Sequence, residues 1–104
     1  MGRTIYTPEH QMLASLLREV RDESGLRQVD VAAAMERSQS FVSDYESGQR
    51  RLDIVELRAL CTVLGTTLPA LVDRYESIIR SYKAERGPDE AQSPKTARNV
   101  RRSD

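Results

Sequence analysis

Three glycines, Gly25, Gly48 and Gly65, each close a short run of periodically spaced apolar residues, and a capping residue opens the next run a few positions on. This punctuation divides the chain into short helices joined by tight turns. Thr7-Pro8 reads as an N-cap followed by a first helical position, where proline has no N–H to lose. A first helix is therefore expected from Pro8 to Ser24. Leu13, Leu16, Leu17 and Val20 fall on one side of it, while Arg18, Glu19, Arg21 and Asp22 face water.

A second periodic run opens at Gln28 and carries Val31, Ala32 and Met35, and Ser38 then offers a hydroxyl cap for a third helix over Gln39 to Glu46. Asp53 and Glu56 form a D-x-x-E capping box ahead of Ile54, Leu57, Leu60, Cys61 and Leu64. Thr67 caps a fifth helix from Leu68 to Arg86, in which Leu68, Leu71, Tyr75, Ile78 and Tyr82 keep steps of three and four, widened by Val72 and Ile79. The expected class is all-α with five helices, the fifth extended. Residues 1–7 form an N-terminal arm, 8–74 the main domain, 75–86 the helical extension, and 87–104 a disordered tail. Two prolines and a single aliphatic Val100 in that tail cannot repay the entropy of ordering it.

With 104 residues there is one domain's worth of material, and with no Trp and one Phe the core must come from aliphatic side chains. Sixteen basic and sixteen acidic residues cancel, so any nucleic-acid contact has to come from local placement and not from bulk charge. No run is long and apolar enough to cross a bilayer, and a lone Cys61 builds no disulfide framework; a cytoplasmic setting without membrane contact is expected.

Residues 28–47 carry the functional signal. Two short helices crossing steeply through a tight turn need a small residue where their backbones approach and apolar residues where each meets the domain. Ala32 meets the first need, and Val31, Met35, Val42 and Tyr45 the second. The pattern is that of a helix-turn-helix. The segments LRQVDVAAAM, SQSFVSDYESGQRRLD and ALCTVLGTTLPALV resemble the phage-repressor and Cro type of helix-turn-helix, the XRE family, over Leu16 to Val72.

The resemblance implies a five-helix DNA-binding domain, usually dimeric, whose third helix lies in the major groove of double-stranded DNA. Gln39 and Ser40 are then the first-turn residues facing base edges, Gln39 suited to adenine, and Ser43 and Asp44 share their face one turn on. A carboxylate at Asp44 accepts from cytosine N4 but repels phosphate. Gln28, at the start of the second helix, matches a phosphate-anchoring position whose side chain braces Gln39. Ser47, Arg50 and Arg51 match backbone-contacting positions, and Arg37 points outward towards phosphate. Phe41 is expected to pack partly on the domain.

This sequence departs from the family pattern in the turn, where Glu36 stands in place of a frequent glycine. A non-glycine residue held at φ > 0 costs on the order of 1 kcal/mol. From Gln28 to Arg51 three arginines also stand against four carboxylates, so weak non-specific binding and a modest salt dependence are expected.

One histidine, His10, and one cysteine are too few for a metal cluster or a Cys-His nucleophile system. No catalytic residue, metal or cofactor is therefore expected. The fifth helix presents Tyr75, Ile78, Ile79 and Tyr82 beyond what four small helices should cover, forfeiting roughly 6 to 12 kcal/mol if left in water. A homodimer through these four residues is the expected remedy, with half-sites about one helical turn apart. The reading is a DNA-binding transcription regulator, a repressor by family habit. Its alternatives are an antitoxin that autoregulates its operon, holding a protein partner through the tail or the fifth helix, and a protein-interaction module that keeps the motif only as scaffold.

Overall fold

A computed structural model describes residues 7–86, so the expected tail and, apart from Thr7, the expected N-terminal arm lie outside the described residues. Five helices follow in order: α1 (Pro8–Ser24), α2 (Gln28–Met35), α3 (Gln39–Ser47), α4 (Ile54–Val63) and α5 (Leu68–Arg86).

Local chemistry sets these boundaries. The Thr7 hydroxyl accepts from the His10 N–H at 3.2 Å, Ser38 from the Phe41 N–H at 3.3 Å, and Thr67 from the Ala70 N–H at 3.2 Å. The capping box at the head of α4 is complete, with Glu56 N–H donating to Asp53 Oδ1 at 2.7 Å and Asp53 N–H to Glu56 Oε1 at 3.0 Å. α2 starts differently, because the Arg27 side chain at its N-cap has no acceptor to offer the helix, and only the Arg27 carbonyl takes the Asp30 and Val31 N–H groups, at 3.0 and 3.2 Å. The Asp30 carboxylate instead accepts from the Arg27 backbone N–H at 2.8 Å and from its guanidinium at 3.0 and 3.1 Å.

Glu36 ends α2 at φ 58°, the one non-glycine residue at positive φ among the described residues. The turn therefore carries the backbone cost that the departure from glycine implied, and Arg37 N–H closes it onto Ala32 O at 2.9 Å.

The core forms where α1, α2, α3 and α4 converge, with Leu71 entering from α5. Val31, Val42 and Leu60 are wholly removed from water, and Ala32 keeps only 4% exposure where α2 and α3 cross. Each large side chain fully buried in this way contributes about 1.5–3 kcal/mol. A branched residue in place of Ala32 would push the two helices apart and misaim α3.

α5 packs against α1 through Arg74, Tyr75 and Ile78 and is not detached from the domain. Arg74 donates twice to the Glu23 carboxylate, at 2.9 and 3.0 Å, and Tyr75 hydroxyl donates to Glu9 O at 3.3 Å. Tyr75 and Ile78 pack against the core. The domain thus covers more of the α5 stripe than the sequence suggested, because α5 packs on α1. Ile79 and Tyr82 are half-buried, and the most exposed large aliphatic side chains among the described residues are Ile54 and Val55, at the start of α4.

Candidate nucleic-acid interface

Helical phase divides α3 into two faces. Phe41, Val42 and Tyr45 turn inward, Phe41 and Tyr45 meeting edge to face with centroids 5.5 Å apart. Burial pushes the Tyr45 phenol above its ordinary range, and its hydroxyl is enclosed without a partner. Gln39, Ser40, Ser43 and Asp44 are exposed and share the outward face, which Ser47 continues at the end of the helix. Ser40 and Ser38 hydroxyls lie 2.9 Å apart, and Ser47 donates back to Asp44 O at 3.1 Å.

A chain of polar contacts holds one edge of that face. Arg21 on α1 donates to Glu46 through Nε at 2.6 Å and Nη2 at 3.0 Å, while its Nη1 donates to Leu26 O at 3.0 Å. Glu46 Oε1 also accepts from Gln28 Nε2 at 3.0 Å, and Gln28 Oε1 accepts from Gln39 Nε2 at 3.2 Å. The bracing of Gln39 by Gln28 is therefore present in the fold, and Glu46 and Arg21 extend it. Arg21 does not face water: its side chain is only 11% exposed and that of Glu46 only 4%. A carboxylate this buried needs a hydrogen-bonded cation, and Glu46 in turn holds the Arg21 guanidinium above its ordinary value against the opposing effect of burial.

The consequence for Gln39 is geometric. Gln28 takes one of its amide hydrogens and leaves the second hydrogen and the carbonyl oxygen for the outward face, a donor beside an acceptor. Adenine presents the matching pair, N7 and N6–H, in the major groove. Arg18, Arg21, Gln28, Ser43, Glu46 and Ser47 line a polar cleft along the same edge. Arg18 thus joins the surface from α1.

The opposite edge is cationic and aromatic. The Arg37 guanidinium carbon lies 3.9 Å from the Phe41 ring centroid and that of Arg50 lies 4.9 Å from it. Both arginines donate to one atom, Glu56 Oε2, at 3.4 Å from Arg37 Nη1 and 2.6 Å from Arg50 Nη2. The Asp53 backbone N–H, followed by the two guanidiniums, holds the Glu56 carboxyl below the usual carboxylate range. Phe41, 6% exposed, packs under this cluster instead of reaching outward. Arg51, next in the chain after Arg50, is exposed, and its charge is felt by Tyr75 on α5.

Comparison with known proteins gives the family of this fold. Residues 12–75 match the family model described as a helix-turn-helix domain. A solved structure described as an XRE-family like protein, from Pseudomonas syringae pv. tomato, is 39% identical with a TM-score of 0.65, covering 73% of this chain and 93% of that one. The chain belongs to the XRE-type helix-turn-helix family. The HTH-type transcriptional regulator DdrOP3 of Deinococcus deserti is 36% identical over 64 residues, 62% of this chain and 50% of that protein. The chain therefore spans about half the length of this curated relative. The clp gene regulator ClgR of C. glutamicum shares the fold at 21% identity and a TM-score of 0.63, over 68% of this chain and 91% of that one. So does a point mutant of the restriction-modification controller protein C.Esp1396I, at 20% identity and a TM-score of 0.65, over 70% of this chain and 92% of that one.

Within this XRE-type domain the remaining chemistry-bearing side chains are structural. His10 is buried and its Nε2–H donates to Gly48 O at 3.2 Å, tying α1 to the end of α3. Cys61 is enclosed in the core, where burial raises its thiol above the ordinary value. Among the described residues no group of three or more His, Cys, Asp or Glu is placed to hold a metal ion, and no single helix is long and apolar enough to cross a membrane.

Proposed function

We propose that this DNA-binding regulator is a cytoplasmic repressor that occupies an inverted-repeat operator as a homodimer. The observation that carries the reading is the Gln39 amide, fixed by Gln28 at 3.2 Å with a donor and an acceptor left for a base edge. Ser40 beside it is small enough to let α3 approach the groove, and Ser43 and Asp44 follow on the same face. Gln28, Arg37, Ser47, Arg50 and Arg51 surround that face and are suited to phosphate, setting register and affinity. Repression is the simpler regulatory outcome, because occupying a promoter requires no further protein contact.

The second chain docks through the far part of α5. Tyr75, Ile78, Ile79 and Tyr82 were the expected interface; with Tyr75 and Ile78 packed on the core, Ile79 and Tyr82 carry most of the contact. A two-fold pair of such domains spaces its recognition helices about 34 Å apart. Hydroxyl-radical footprinting of the full chain on a selected operator tests this arrangement. Two protected stretches one turn apart on the same face support it; a single protected half-site with one chain per duplex overturns it.

A further inference from the structure

On the cationic edge of α3, two arginines share one carboxylate. Arg37 lies in the turn before α3 and Arg50 in the loop after it, and both side chains are over a third exposed, at 39% and 38%. Phe41 supports both guanidiniums on its ring, so their positions do not depend on Glu56 alone. Glu56 is held from the other side. Its Oε1 accepts from the Asp53 N–H at 3.0 Å, which fixes the carboxylate at the head of α4 and leaves Oε2 to meet both cations.

We infer that Glu56 occupies the place of one DNA phosphate at the Arg37–Arg50 pair, and so sets how strongly and how salt-dependently the chain binds DNA of any sequence. The inference rests on the reading that this face meets DNA. Each guanidinium has five N–H donors and gives Glu56 one of them. The Arg50 Nε–H is enclosed, so the remaining Nη hydrogens of Arg50 and the remaining donors of Arg37 are the ones open to a phosphate oxygen arriving from solvent. With the carboxylate present the three side chains carry a net single positive charge; without it they carry two. Counterion release then predicts the difference, since each additional phosphate neutralised steepens the dependence of log K on log salt by about 0.9. Glu56 thereby restrains non-specific binding and leaves a larger share of the affinity to the outward face of α3.

The test uses the full chain and a mixed-sequence duplex, which reports phosphate binding without base reading. Glu56→Gln retains an oxygen to accept from the Asp53 N–H and so preserves the cap. Fluorescence anisotropy across a salt series should show Glu56→Gln binding about five- to tenfold more tightly near 0.1 M salt, with a slope steeper by about 0.9. A folded variant with unchanged or weaker binding overturns the inference, the weaker case making Glu56 a holder of the arginines and not a substitute for phosphate. Arg37→Gln and Arg50→Gln give an independent reading: each should weaken binding and flatten the slope, and an unchanged slope in both overturns the inference as well. Selective binding is scored separately on the same proteins. Its loss in Gln39→Ala with mixed-sequence binding intact upholds the base-reading assignment, whatever Glu56→Gln does.

Discussion

Glu36 and Gln39 lie three positions apart and show what single residues decide in this domain. Glu36 sits at φ 58°, a conformation in which an L side chain costs about 1–2 kcal/mol and glycine does not. After allowing for the greater freedom of glycine in the unfolded chain, Glu36→Gly should stabilise the domain by up to about 1 kcal/mol. That corresponds to a rise in Tm of roughly 4–8 °C, which calorimetry can read; a fall in Tm would show that the Glu36 side chain contributes a contact of its own. In the proposed role Gln39 bears on recognition and not on stability. Gln39→Ala should cost about 1–3 kcal/mol of operator affinity and relax preference at one base pair, whereas Arg51→Ala should weaken all sequences alike. Equal losses from both on every duplex in competition binding would contradict these roles.

At the level of elements, α3 is aimed by what lies beside it. The Arg21–Glu46 pair ties α1 to α3 and continues through Gln28 to Gln39, so one contact serves both packing and presentation. Glu46→Ala leaves a largely buried guanidinium without its carboxylate and removes the acceptor that orients Gln28. A loss of about 3 kcal/mol in urea denaturation is expected, together with reduced selectivity; a loss below about 1 kcal/mol would place the pair among ordinary surface bridges. The helix boundaries were legible in the sequence because caps and stops act over a few residues: Thr7, Ser38, Asp53 and Thr67 open helices where they should, and Gly25 and Gly48 close them. The Gln28–Gln39 pairing was legible through the family resemblance. Arg21 with Glu46 was not, since 25 positions separate them and each also fits a solvated helix face. Glu56 was visible only as half of a capping box, because nothing in local spacing shows that its second oxygen meets two arginines from either end of α3.

For the whole molecule, the packing of α5 against α1 changes which residues can report on association. Ile78 belongs to the packed domain, so Ile78→Asp should lower stability before it affects assembly. Ile79→Asp is the cleaner substitution: the folded chain should sediment as a monomer and lose affinity for a two-half-site operator while keeping mixed-sequence binding. An unchanged sedimentation coefficient would move the interface off α5, with exposed Ile54 and Val55 at the start of α4 the next place to substitute. Balanced overall charge has its own consequence at this scale, because a chain with sixteen cations and sixteen anions gains little from non-specific attraction and must discriminate by contact. The most direct measurement of that discrimination is selection of binding sites from a random duplex pool by the full chain at low salt. The account predicts enrichment of an inverted repeat whose half-sites are about one turn apart, with an A·T pair in each that loses its enrichment in Gln39→Ala. A pool that emerges no different from scrambled competitor would contradict it.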